Sequence, residues 1–176
     1  HIPTALLVKD TLCVSLNGLS KAYRATGFRA GWIVFSGNTK IAQSYIEGVE
    51  MLSSMRLCSN VIAQYGIQTA LGGYQSIKDL VAPTGRSHEQ RDQLYQGINA
   101  IDGLSMVKPQ GAMYGFVKID TEKFNITDDE KFILDLLREE HILFAHGRAF
   151  NWDKPDHFRV VFLQYSRHIK EACEKL

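Results

Sequence analysis

The chain has 176 residues, 45% of them hydrophobic, so it can bury a substantial core and is too apolar to be a disordered protein. Its 20 basic and 19 acidic residues nearly cancel, which argues against nucleic-acid and membrane-surface binding. The three cysteines (Cys13, Cys58 and Cys173) show no CxxC spacing, and no apolar run reaches the roughly 18 residues of a membrane span. We therefore expect a cytoplasmic globular protein with reduced thiols and without nucleic-acid or membrane partners.

Two short apolar runs near the start bracket a loop that carries a lysine and an arginine. Thr11–Leu16 and Gly31–Ser36 each predict a strand, and Lys21 and Arg29 lie between them. A lysine that attacks a carbonyl needs close backbone approach and a nearby cation, and an arginine can clamp a phosphate with its donor fork. Although a lone lysine is usually a solvated surface charge, this pair indicates a Schiff base with a phosphorylated aldehyde cofactor, pyridoxal phosphate.

Two helices are predicted next. Asn38 can cap the first, whose apolar stripe we expect to face the core; the stripe comprises Ile41, Ala42, Tyr45, Ile46 and Val49. The second spans Ser59–Leu71, and Gly72-Gly73 predicts a left-handed cap at its end. Pro83–Gly85 is the best candidate for a domain boundary.

The second half of the chain alternates between strands and helices. It predicts a helix over 87–101, strands over 104–107 and 113–118, a helix from Thr127 to Glu140, strands over 142–145 and 158–162, and a helix from His168 to Leu176. This order fits a small α/β or α+β domain with its helices against one sheet.

The lysine loop also carries a family resemblance. Asn17-Gly-Leu-Ser-Lys21 followed by Gly27-Phe-Arg29-Ala-Gly-Trp32 resembles the Schiff-base signature of the class I pyridoxal-phosphate aminotransferases. The similarity continues in order through Ser59-Asn60, Gln64, Pro109–Tyr114 and Phe158-Arg159-Val160. Within the family, the sequence is particularly similar to the bacterial glutamate–pyruvate (alanine) aminotransferases in three segments: Tyr45–Leu52, Ala70–Gln75 and Ala149–Trp152.

The resemblance implies a role for each matching residue. Lys21 would be catalytic: it would hold the cofactor as a Schiff base and then move a proton between substrate and cofactor. Arg29 would grip the cofactor phosphate, with Ser20 as a further donor. Arg159 would pair with the substrate α-carboxylate through two parallel hydrogen bonds, although by its pattern alone it could equally be a surface residue on a strand. The six histidines show no ligand spacing such as HExxH, so no metal is expected.

The resemblance also implies an α/β fold in two parts. Residues 1–85 would be the C-terminal part of the large cofactor-binding domain, and residues 86–176 an α/β (α+β) small domain that is truncated at its end. In the family, the carboxylate at the pyridine nitrogen and the ring-stacking aromatic precede the lysine strand. We therefore expect the chain to be a portion of a homodimeric enzyme and, alone, to bind the cofactor weakly and not to turn over.

The expected substrates are a small amino acid and a 2-oxo acid, namely alanine and 2-oxoglutarate, giving pyruvate and glutamate. Aspartate-type relatives place an arginine thirty-four residues after the lysine, where this chain has Met55. Arg56 is one position out of register, a rotation of about 100° on a helix, so that role is not transferred to it. Gly18 stands where relatives often have a phosphate-binding Ser or Thr, and His146-Gly147 stands where many have Pro-Gly.

Two alternatives stay open at this point. The chain could be a non-catalytic module derived from an aminotransferase, for oligomerisation or scaffolding. It could also belong to another pyridoxal-phosphate enzyme of the same fold type (fold type I), a lyase or a synthase, because those enzymes share the lysine block. A P-loop nucleotide site is disfavoured, since Gly-Leu-Ser-Lys21 lacks the GxxxxGK[ST] spacing.

Overall fold

A computed structural model describes residues 2–176 and resolves them into two compact units. The first unit ends at Ile77, and the second spans Lys78–Leu176. This division precedes the sequence-based boundary after Gly85, because residues 78–85 fold back on themselves within the second unit. The Gly85 N–H donates to the Ala82 carbonyl at 2.7 Å. Among the described residues, no helix is long and apolar enough to cross a membrane.

The first unit consists of one antiparallel strand pair followed by two helices. Its elements are β1 (Leu12–Gly18), β2 (Gly31–Gly37), α1 (Gln43–Arg56) and α2 (Val61–Gly72), with 3₁₀ turns at Thr4–Leu6, Thr26–Phe28 and Thr39–Ala42. The two strands pair from Leu12 opposite Gly37 to Gly18 opposite Gly31. Both strand predictions are confirmed, and each strand ends beyond the predicted apolar run, at Gly18 and at Gly37.

The ends and faces of the first unit's helices differ from the predictions. Asn38 makes no side-chain cap, because a 3₁₀ turn intervenes before α1 begins. The apolar stripe was expected to face the core, yet no described residue of α1 is fully buried. Ala42, Ile46 and Val49 are half-buried, and Ile41 and Tyr45 are exposed. Gly73 is extended (φ −90°) and not left-handed; its N–H donates to the Thr69 carbonyl at 2.8 Å as the chain leaves α2.

The second unit combines helices with one antiparallel sheet. Its elements are α3 (Ile77–Val81), α4 (Arg86–Asn99), β3 (Leu104–Met106), β4 (Tyr114–Ile119), α5 (Asp129–Glu139), β5 (Ala145–His146), β6 (His157–Val161) and α6 (Ser166–Glu174). The strand order is β3-β4-β6-β5. Each predicted helix and strand is present, with β5 reduced to two residues because Ile142 still bonds back to the Leu136 carbonyl of α5.

The sheet of the second unit has one packed face and one half-open face. On the packed face, Val117 of β4 and Phe158 of β6 are fully buried and belong to the same core cluster as Leu94 and Ile98 of α4. Side chains alternate along each strand, so the neighbours of Phe158 point the other way. Arg159 therefore lies on the half-open face, directly across from Phe116 of β4.

Candidate active site

The loop that joins β1 to β2 is closed by the two strands themselves. Gly18 lies opposite Gly31, and the Leu19 N–H donates to the Ala30 carbonyl at 3.0 Å. A Cβ on Gly31 would lie 2.6 Å from the Asn17 carbonyl oxygen, so this close approach requires glycine. Residues 19–30 thus project from a narrow, hydrogen-bonded neck.

Lys21 lies at the start of this loop with its side chain exposed. Its neighbour Leu19 is buried and anchors the turn: the Ala25 N–H donates to the Leu19 carbonyl at 3.0 Å, and the Arg24 N–H to the Lys21 carbonyl at 3.1 Å. Ser20, between them, is half-buried. In the described part of the chain no carboxylate pairs with Lys21, so its amine is free to meet a ligand.

Arg29 ends the same loop in a left-handed conformation, with φ 50° and ψ 42°. Its Nη1 donates to the Thr26 carbonyl at 2.7 Å, which fixes one edge of the guanidinium and leaves other N–H groups for an anion. Asn60 holds the adjacent backbone: its Nδ2 donates to the Phe28 carbonyl at 3.1 Å, while its Oδ1 caps α2 by accepting from the Ala63 N–H. This tie between α2 and the loop was not predicted.

These donors suit a phosphorylated aldehyde. Lys21 supplies an amine that can engage a carbonyl, and Arg29 and Ser20 supply a guanidinium and a hydroxyl that can hold a phosphate. No acidic side chain of residues 2–176 forms an ion pair with either cation. The same described residues contain no cluster of three or more His, Cys, Asp or Glu side chains that could hold a metal ion. The amine of Lys21 and the donors of Arg29 and Ser20 thus fit the aldehyde and the phosphate of a cofactor such as pyridoxal phosphate.

Arg159 is held by aromatic rings in the second unit. Its guanidinium carbon lies 4.7 Å from the ring centre of Tyr114 and 4.5 Å from that of Phe150. Its Nε is buried without a hydrogen-bond partner, and nothing in the described chain forms an ion pair with it. Ala145 lies opposite on β5, which leaves room beside the guanidinium. An oriented, unpaired guanidinium is well suited to a carboxylate ligand.

Two further positions bear on the choice of substrate. Met55, where aspartate-type relatives have an arginine, is 72% exposed. Arg56 donates through Nη1 to the Cys58 carbonyl at 3.0 Å and so is engaged by its own backbone. Of the ring pair around Arg159, Tyr114 was named in the sequence analysis only as the end of the family-like run Pro109–Tyr114. The contact of Phe150 was missed, because no local pattern links a loop residue to a strand.

Comparisons with known proteins agree along the whole chain. A family model described as "Aminotransferase class I and II" matches residues 2–176. The glutamate-pyruvate aminotransferase AlaA of Haemophilus influenzae is 56% identical over 176 residues, which are 100% of this chain and 44% of that protein. The alanine aminotransferase of Mycobacterium bovis is 52% identical, with 100% and 41% covered.

A solved structure shares the fold. It is an aminotransferase from Escherichia coli, 54% identical in sequence, with a TM-score of 0.95 over 99% of this chain and 43% of that one. The predicted α/β aminotransferase fold is thereby confirmed. The chain spans less than half the length of the relatives it matches. On the evidence of the family model and these relatives, the chain belongs to the class I and II aminotransferase family.

Proposed function

We propose that this chain supplies the lysine and the substrate arginine of a pyridoxal-phosphate-dependent transaminase that converts L-alanine and 2-oxoglutarate to pyruvate and glutamate. The observation that carries the proposal is Arg159, a guanidinium held against two rings with no acidic partner in residues 2–176. Such a group selects a carboxylate, which both the amino acid and the 2-oxo acid possess. The activities named for the relatives support alanine and pyruvate as the pair.

The residues divide the work between the two units. When bound, pyridoxal phosphate supplies an electron sink for the electrons released at the substrate α-carbon. Arg29 and Ser20 hold the phosphate, and Lys21 is the catalytic residue. Its Nζ would take the proton from the substrate α-carbon and, as an ammonium, would pass that proton to the cofactor; in the second half of the reaction the two transfers would run in the opposite direction. Arg159 binds the α-carboxylate of the substrate.

The remaining assignments follow from the family. The first unit belongs to the large cofactor-binding domain and the second unit to the small domain. The enzyme acts as a homodimer in the cytoplasm on small-molecule substrates. Met55 supplies no cation at the position where aspartate-type relatives have an arginine, which favours alanine over aspartate as the amino donor.

A chimera tests the proposal. It joins the part of the Haemophilus influenzae relative outside the matched region to this chain, and it is called the chimera below. With pyridoxal phosphate and 2-oxoglutarate, we expect alanine-dependent pyruvate formation at a rate near that of the relative, and a far lower rate with aspartate. The 176-residue chain alone is expected to be inactive.

Each contrary outcome points to a different class of protein. A folded, cofactor-loaded chimera that releases ammonia without 2-oxoglutarate would identify a lyase. Activity that survives Lys21→Ala would show that the relative's part alone suffices, and that this chain is a non-catalytic module. Equal rates with alanine and aspartate would overturn the specificity assigned to Met55.

A further inference from the structure

A buried ion pair stands next to the aromatic contacts of Arg159. Asp129, at the start of α5, is fully buried, and both of its carboxylate oxygens face Arg148. Oδ2 accepts from the Arg148 backbone N–H at 3.0 Å, and Oδ1 accepts from Arg148 Nε at 2.5 Å. The Arg148 Nη2 also reaches the carboxylate of Asp128, the residue that caps α5. The pair therefore fixes both the backbone and the side chain of Arg148 to the end of a helix.

The carboxylate stays charged in this setting. Burial raises the pKa of Asp129, but the backbone N–H and guanidinium of Arg148 outweigh it and, with His146, hold the pKa below its ordinary value. His146 Nδ1 lies 3.8 Å from Asp129 Oδ2 and is itself buried without a hydrogen bond. A buried charge of this kind is costly to leave unpaired, so Arg148 is held firmly.

Arg148 lies in the 3₁₀ turn Gly147–Phe150, and this turn is fixed at both ends. A Cβ on Gly147 would lie 2.7 Å from the His157 carbonyl oxygen, so the turn begins tight against β6. Asn151 closes it with a left-handed φ of 58° and an N–H bond to the Arg148 carbonyl at 3.1 Å. Phe150, between these points, is the ring 4.5 Å from the Arg159 guanidinium carbon.

We propose that Asp129 and Arg148 are positioning residues for substrate binding: they lock the Gly147–Phe150 turn so that Phe150 holds the Arg159 guanidinium ready for a carboxylate. The inference rests on the proposed function, because it takes Arg159 to be the substrate arginine. Loss of the Asp129–Arg148 pair leaves Arg159 in place on β6 but allows Phe150, one of the two rings beside its guanidinium, to move. Substrate binding then weakens, while the proton transfer at Lys21 is untouched.

Kinetics of the chimera provide the first test. Asp129→Asn and Phe150→Leu are each expected to raise the KM for alanine roughly tenfold, the scale of one lost cation–π contact, with kcat changed less than about twofold. The double variant should raise KM no further than Phe150→Leu alone, because both act through the same ring. Lys131→Met, which removes the exposed Lys131–Asp135 pair on the same helix, is the matched control and should leave KM unchanged.

A second measurement does not depend on activity. In the wild-type chimera the two rings should shift the NMR resonance of the Arg159 Nε–H upfield, and Asp129→Asn should move it toward its random-coil position while speeding amide exchange over 147–151. Faster exchange with an unmoved Arg159 resonance and unchanged KM would overturn the proposal, since Asp129 would then be merely structural. If Asp129→Asn fails to fold, Arg148→Lys, which keeps the charge but not the fork, carries the same test.

The two proposals can fail separately. A folded wild-type chimera without transaminase activity, in which Asp129→Asn still moves the Arg159 resonance, would contradict the proposed function and leave the positioning intact. If the chimera is active and the KM increases of the two single variants multiply in the double variant, the positioning role would be contradicted and the proposed function would stand.

Discussion

The two units place their functional residues by different means. In the first unit, the buried hydrophobic side chains among the described residues are Cys13, Leu19 and Ala63, and the lysine loop is shaped by paired glycines and backbone hydrogen bonds. In the second unit, Arg159 stands on a sheet whose opposite face is a continuous core. A reactive loop can thus be set by local geometry, whereas an oriented arginine depends on tertiary packing.

The largest expected effect separates chemistry from stability in the first unit. Lys21→Ala in the chimera should lower kcat by more than about 10³-fold, because no other base takes the α-proton. Its unfolding free energy should stay the same, since the Lys21 side chain is exposed. Lys40→Ala, an exposed lysine of the same unit, is the control for activity measured by pyruvate formation. An equal loss of activity in both variants would contradict the assignment.

The second-largest expected effect is on the free energy of unfolding, and it contrasts the interiors of the two units in the 176-residue chain. Phe158→Ala removes a fully buried ring and should destabilise the second unit by about 3–5 kcal/mol. Ile62→Ala on α2 removes a side chain that is 80% exposed and should cost less than about 0.5 kcal/mol.

Urea unfolding can follow each unit separately. Trp32 belongs to the first unit and Trp152 to the second, and the chain has two tryptophans in all. Fluorescence of Trp32→Phe and Trp152→Phe backgrounds therefore reports each unit on its own. Similar losses for Phe158→Ala and Ile62→Ala would show that the first unit is packed as well as the second.

The substrate arginine gives the third effect. Arg159→Lys in the chimera should raise the KM for alanine about 10- to 100-fold, because an ammonium cannot make two parallel hydrogen bonds to a carboxylate. Arg56→Lys in the first unit is the control and should leave KM unchanged, since Arg56 bonds to its own backbone. If the KM for alanine rose in Arg56→Lys and not in Arg159→Lys, Arg56 would be the substrate arginine in place of Arg159.

The sequence predicted the elements well where the pattern was local. Short apolar runs located both strands around Lys21, and the helix predicted over 87–101 is present as α4. The apolar stripe of the first predicted helix was expected to face the core and is at most half-buried, because periodicity identifies an apolar face but not what covers it. Gly73 was misassigned because a double glycine permits a left-handed cap without requiring one.

Part of the proposed site could be named from the sequence. Lys21 and Arg29 could be named together because they share one loop, and Ser20 and Arg159 could be named through the resemblance. Phe150 and the Asp129–Arg148 pair could not, because the members of each contact are far apart in the chain and belong to elements of different kinds. No period along the sequence signals such contacts.

The smallest expected effect is the acid sensitivity of the second unit. The hydrogen bond from Arg91 lowers the pKa of Asp92 from 3.8 to about 2, with Lys108 adding to it against the opposing effect of burial. Asp92 Oδ1 accepts from Arg91 Nε at 2.7 Å and lies 3.0 Å from Lys108 Nζ. A carboxyl whose pKa is lower in the folded state stabilises that state above its unfolded pKa, near 4, and loses the contribution as the pH falls to about 2.

Asp92→Asn should therefore lower the Tm of the second unit at pH 6 and leave it nearly unchanged at pH 2, because at that pH the wild-type carboxyl has lost most of its advantage. Trp152 fluorescence in the Trp32→Phe background reports the transition. Lys108→Met removes one of the two cations and should give a smaller shift of the same sign. A Tm difference that persists at pH 2 would mean that Asp92 acts through packing, and the second unit would then owe its acid response to other groups such as Asp129.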